Sequence, residues 1–154
     1  MITTLILGSV AGACVSGGTE EQNMIERINP ETLPSSSGQS QVIVVDAGKT
    51  VYLSGQVALD AGGNLVGAGD FRKQTGQVLR NVSEALRSAG VDQTSVVKLT
   101  IYVVQLEPAV HGPVLAELLG DLSAFNHPTA TLVSVAGLAR ADFMIEIEAT
   151  AVMG

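Results

Sequence analysis

From Phe143 to Val152 the chain reads FMIEIEATAV, and Phe143, Ile145, Ile147, Ala149 and Ala151 alternate with Met144, Glu146, Glu148 and Thr150. Side chains on an extended strand point to opposite faces in turn. The pattern therefore predicts a strand with one face in a core and the other outside it. A second segment supplies the cover. Phe71, Val78, Leu79, Val82, Ala85, Leu86 and Ala89 fall on one face of a helix, and Arg72, Lys73, Gln77, Arg80, Asn81, Glu84 and Arg87 on the other. Asp70 is placed to cap the N-terminus of this helix, and Gly90 to take the residue just past its C-terminus.

The remaining elements follow from the same two periods. The polar, turn-rich stretch 30–41 predicts a loop. Gln41 to Val45 and Thr50 to Val57 predict two strands, and the short Asp46–Lys49 link between them predicts an antiparallel hairpin. Ser95 to Gln105 is a β-branched run and predicts a strand. Val110, Val114, Leu115, Leu118, Leu119 and Leu122 predict one face of a second helix, with Pro113 in its first turn, where proline forfeits no hydrogen bond. Ala130 to Val135 predicts a further strand. The order ββαβαββ implies an α+β fold, with two helices on one face of a mixed sheet. Val, Ile and Ala on the strands lead us to expect a helix-free face that is partly apolar, which favours self-association.

With 154 residues and 46% of them hydrophobic, the chain is long enough for one domain with a core of its own. Two Tyr, three Phe and no Trp make that core aliphatic. The formal charge of −7 repels a phosphate backbone, and no run of Lys or Arg offsets it, so nucleic acid is not expected as a partner and a ribonuclease activity gets no support. Cys14 is the only cysteine, which excludes an intrachain disulfide and a thiolate cluster, and two His without a Cys partner make no zinc pattern.

Residues 1–23 stand apart from the domain at 24–154. Leu5 to Val15 is an apolar run ending near Gly12-Ala13-Cys14, which is similar to the end of a lipobox. Against export, no Lys or Arg precedes the run, and Ala11 stands where such boxes usually carry Leu. The run is too short to span a bilayer. The expectation is an extension ahead of a cytoplasmic domain opening at Met24. The alternative is an exported lipoprotein attached through Cys14.

INPETLP near residue 30, Ser54-Gly55-Gln56, Gln74 to Gly90, Val96 to Val103, His127-Pro128-Thr129-Ala130 and Ile145 to Ala149 together make residues 24–154 resemble the RidA (YjgF) family. The resemblance implies a chorismate-mutase-like fold and a homotrimeric barrel, with clefts for a small-molecule ligand between subunits. It implies hydrolysis of enamines and imines released by pyridoxal-phosphate enzymes, with no metal and no cofactor.

It also locates the site and its departures. Active members carry Arg two residues after the motif proline, where its guanidinium can pair a substrate carboxylate twice over; here that position is Ala130. An aromatic Tyr of the early loop is replaced by Gln39, and an Asn of the second helix by Pro113. Glu146 matches a site carboxylate and is the candidate catalytic residue. Ser54, Gly55, Gln56, Gln39, Ala130, Thr131 and His127 are the candidate substrate-binding residues. Glu146 and Glu148 share one strand face and could divide acid–base work, or could simply be a solvated rim. His127 could act as a base near neutral pH or stand idle in its loop, and His111 is expected to be idle. Arg140 is the only nearby candidate for a replacement cation in the C-terminal half.

Two functions from different classes stay open on these residues. One is a hydrolase in which Glu146 activates water against a small imine, enamine or related electrophile lacking the usual carboxylate. The other is a non-catalytic trimer that binds a small molecule or a partner protein.

Overall fold

The computed structural model describes residues 25–32, 38–120 and 122–154. The extension 1–23, with Cys14, lies outside the described residues. The long helix forms as its apolar stripe dictates: α1 spans Phe71–Ser88 and buries Phe71, Val78, Val82 and Leu86. Asp70 caps it by accepting from the Lys73 N–H at 3.0 Å. At the other end Gly90 takes φ +79, the Val91 N–H reaches back to the Leu86 carbonyl at 3.1 Å and the Gly90 N–H to that of Arg87 at 3.0 Å, a Schellman closure that needs a residue tolerant of left-handed backbone.

The strands are β1 (Ile25–Ile28), β2 (Val42–Val45), β3 (Lys49–Gln56), β4 (Val96–Val104), β5 (Thr129–Val135) and β6 (Ile145–Met153). The main sheet has the order β3-β6-β4-β5, antiparallel except for the parallel β4–β5 pair. This is the mixed sheet expected from the element order. The expected hairpin is not observed: β2 pairs with β1, in register from Ile25↔Val45 to Ile28↔Val42, and β3 pairs with β6. The four-residue β1 was missed because IERI is too short to show a period.

The second helix, α2, spans Pro108–Leu118. Pro108 takes the first helical position and Pro113 lies inside, not in the first turn as expected. Pro113 has no N–H, so the Ala109 carbonyl loses its intrahelical donor. Leu122 lies beyond the helix, in left-handed backbone at φ +60. Arg72 of α1 forms a two-pronged ion pair with Glu117 of α2, its Nη2 donating to Oε2 at 2.5 Å. His111 packs edge-on against Phe71 at 4.5 Å and accepts from the Glu107 N–H at 2.9 Å, a structural role.

Gln74 ties the layers together from a fully buried position. Its amide donates to the Gly67 and Asp142 carbonyls at 3.2 and 2.8 Å, and its oxygen accepts from the Met144 N–H at 2.8 Å. The core between helices and sheet holds Leu53, Leu99, Ile101, Val103, Ile145, Ile147 and Ala149. The helix-free face is more polar than expected. Lys98, Thr100 and Tyr102 of β4 and Glu146, Glu148 and Thr150 of β6 share it, with Tyr52 of β3 80% exposed.

Candidate functional site

Six of the predicted site residues fall into two groups on opposite faces of one sheet. The first group forms where β3 meets β6. Leu53 pairs with Ala149 and Gln56 with Ile147, so β3 carries one extra residue across this step. That bulge contains Ser54 and Gly55, just before the strand ends at Gln56. Gly55 is glycine for a steric reason: a β-carbon there would lie 1.7 Å from the Glu146 Oε1 and 2.6 Å from its Cδ. The carboxylate thus rests on the backbone of residue 55. Gln56 folds back, its Nε2 donating to the Ser54 carbonyl at 3.1 Å.

Glu146 stands opposite Tyr102 on β4. The Tyr102 phenol is held above its ordinary value of 10.0, first by burial, then by the charge and hydrogen bond of Glu148, then by the charge of Glu146. Tyr102 is a site neighbour that the sequence reading passed over. The period-2 alternation of Lys98, Thr100 and Tyr102 within the strand run was the signal available. A polar hollow of about 140 Å³ adjoins it, lined by Tyr52, Lys98, Thr100, Glu148 and Thr150.

The second group lies at the β5 edge, on the helix side. Ala130 pairs with Leu99 and Leu132 with Ile101, both core residues, which puts Ala130 and Leu132 on the covered face. Gln39 and Ala130 line one hollow of about 210 Å³ with Ile101, Leu115, Leu119, Leu122 and Leu132. Among the described residues its lining includes no charged side chain, and Gln39 is its one polar side chain. The early loop is fixed to this edge by Ser40, whose N–H donates to the Pro128 carbonyl at 3.1 Å and whose hydroxyl donates to that of His127 at 2.6 Å.

The other candidates are dispersed. His127 is half-buried in left-handed backbone at φ +53, directly before Pro128. Thr131 is exposed and pairs with Thr100, so it belongs to the helix-free face rather than to the Ala130 hollow. Arg140 is engaged elsewhere, bonded to Asp142 at 3.0 and 2.6 Å and lying 4.7 Å over the Phe143 ring. It lines neither the Ala130 hollow nor the hollow beside Tyr102. Among the described residues no three His, Cys, Asp or Glu are grouped to hold a metal ion. No helix among them is long and apolar enough to cross a membrane.

Within one copy of the chain Glu146 and Ala130 face opposite sides of the sheet. Glu146 is opposite Tyr102, and Tyr102 is opposite Val133. Two strand spacings, roughly 10 Å, separate Glu146 from Val133. Ala130 lies three residues further along β5 and faces the other way.

Comparisons with known proteins agree with this architecture. Residues 31–153 match the family described as Endoribonuclease L-PSP. The human 2-iminobutanoate/2-iminopropanoate deaminase is 32% identical over 75% of this chain and 80% of its own length. A RutC family protein of Pyrococcus horikoshii is 35% identical over 83% of this chain and 98% of its own. Among solved structures, the Rid family protein YyfB of Yersinia pestis is 38% identical, superimposes with a TM-score of 0.78, and covers 84% of this chain and 99% of its own.

Proposed function

Because the chain belongs to the RidA/YjgF (Endoribonuclease L-PSP) family, we propose that it assembles as a homotrimer whose intersubunit clefts bind a small molecule. In each cleft Glu146 of one copy faces Gln39 and Ala130 of the next, and Glu146 positions or activates a water against a small imine, enamine or related electrophile. The single observation that carries this reading is the carboxylate of Glu146 seated on Gly55, on the face opposite the Ala130 hollow. A composite site needs such a division. The exposed side chains of Val44 and Leu132, at 44% and 47%, and the ring of Tyr52, at 80%, favour association.

The ordinary 2-imino acid reaction is slow in this cleft. A guanidinium at position 130 would hold a substrate carboxylate by two charge-assisted hydrogen bonds, roughly 1.5–3 kcal/mol each before losses. Ala130 offers neither. The reactive carbon is then poorly held against water beside Glu146, and loose positioning alone costs about a hundredfold. A coupled assay of 2-aminoacrylate-type imine hydrolysis tests this. The wild-type chain should be about a hundredfold slower than an arginine-bearing relative. Ala130→Arg should recover part of the loss, with Gln39 and Pro113 limiting it, and Glu146→Gln should abolish what remains. Wild-type turnover equal to that of the relative would overturn the reading, and so would a stable monomer in light scattering at micromolar concentration. A trimer without turnover would instead favour the non-catalytic binding role.

A further inference from the structure

The hollow beneath Ala130 says what kind of molecule the cleft takes, on the reading that the cleft binds a small ligand. Its walls are the side chains of Ile101, Leu115, Leu119, Leu122 and Leu132, and Gln39 alone among the described lining residues offers hydrogen bonds. A carboxylate placed there would meet no cation among the described lining residues, and once the cleft is covered an ion so stranded is penalised far more than a neutral polar group. The formal charge of −7 provides no long-range field in compensation. Glu146 adds a further negative charge wherever it completes the cleft.

One wall residue, Leu122, and two residues of the loop that follows it lie in left-handed backbone. Leu122, Asn126 and His127 adopt φ of +60, +55 and +53, a region that side-chain-bearing residues rarely enter. Leu122 is nonetheless turned inward and 9% exposed. The loop is held by the His127 N–H on the Leu122 carbonyl at 3.2 Å and by Ser40 on His127 and Pro128. Strain retained at a hollow points to a shape that is used.

We propose that this hollow is the recognition pocket for the neutral, apolar end of the ligand, a ring or branched chain bearing a carbonyl or amide that the Gln39 carboxamide meets. The size agrees. An apolar cavity of about 150 Å³ accommodates benzene, so about 210 Å³ accommodates one ring with a short substituent.

The test uses benzamide and benzoate, two probes of equal shape and different charge. Each is titrated into the full-length protein with methyl NMR detection. Benzamide should shift the Leu119 and Leu132 methyls and bind at least roughly tenfold more tightly than benzoate, because only benzoate strands a charge. Ala130→Phe, which fills the hollow, should remove benzamide binding with little change in melting temperature. Ala130→Arg should reverse the preference in favour of benzoate. Equal affinities, a preference for benzoate in the wild type, or no methyl shift at millimolar probe would each overturn the proposal. Contacts from a neighbouring copy to these methyls, filling the hollow, would overturn it as well. None of these results bears on Glu146 turnover, which the imine assay judges separately.

Discussion

The carboxylate of Glu146 sits so close over Gly55 that a β-carbon at residue 55 would fall 1.7 Å from Oε1 and 2.8 Å from Cγ. The contact falls at the bulge in β3, between the Leu53–Ala149 and Gln56–Ile147 pairs. Gly55→Ala should therefore drive the carboxylate to another rotamer. The colliding atoms belong to a flexible side chain, so the stability cost should be modest, roughly 0.5–1.5 kcal/mol. The NMR signal of the Glu146 carboxyl should move and Glu146-dependent turnover should fall. An unmoved signal in a folded variant would contradict the contact.

Gln74→Leu should be far more damaging. The side chain is fully buried and serves Gly67, Asp142 and Met144 at 3.2, 2.8 and 2.8 Å. Leucine has a similar volume but leaves the Asp142 carbonyl and the Met144 N–H without partners, while the Gly67 carbonyl keeps the Asp70 N–H at 3.0 Å. Each costs about 1–3 kcal/mol when buried, and partial rescue by water brings the expected loss to on the order of 3 kcal/mol. Urea unfolding measures it, and a loss below about 1 kcal/mol would show that the network is dispensable.

Gly112→Ala should stabilise the protein. Gly112 lies inside α2, and a β-carbon there meets nothing within 4 Å. Alanine loses less backbone freedom than glycine on entering a helix, and the gain should be roughly 0.5–1 kcal/mol in urea unfolding. No gain, or a loss, would mean that α2 packs against something at this position in the assembled protein.

Acid should destabilise the fold through a set of carboxylates held below their ordinary values. The Asn64 N–H lowers Asp60, the Lys73 N–H lowers Asp70, and the Arg72 guanidinium lowers Glu117. A group whose pKa is depressed by folding contributes stability above its unfolded value and loses it as pH falls through its folded one. With unfolded values of 3.8 and 4.5, stability should be steady down to pH of about 5 and fall below about 4. Asp70→Asn should flatten the acid limb of a melting-temperature profile. An unchanged limb would remove Asp70 from the set.

The α1 helix was legible in full, down to Asp70 and Gly90, because its stripe is long and its caps act within a few residues of the ends they close. The partner of β2 was not. A strand run shows that a segment is extended but not what it pairs with, and β1 lies across the polar 30–41 stretch. The phase of α2 was misjudged because two prolines compete for the first position and Pro108 holds it. At the site, Ser54-Gly55-Gln56 and Glu146 could be named from the resemblance, but their contact depends on a bulge that no local pattern announces. The apolar hollow at Ala130 was hidden for a similar reason. Its wall needs Leu122 in left-handed backbone, whereas the helical period would place Leu122 on α2.

Ala130 and Glu146 look out from opposite sides of the same sheet, so in the proposed homotrimer a molecule touching both would span two copies of the chain. Such a molecule acts as a clamp. Its grip and the cohesion of the assembly are then linked, each strengthening the other by mass action. Dilution should release ligand and subunits together, and apparent affinity should rise with protein concentration. In that proposed arrangement a copy damaged at either half would also spoil a cleft shared with an intact neighbour.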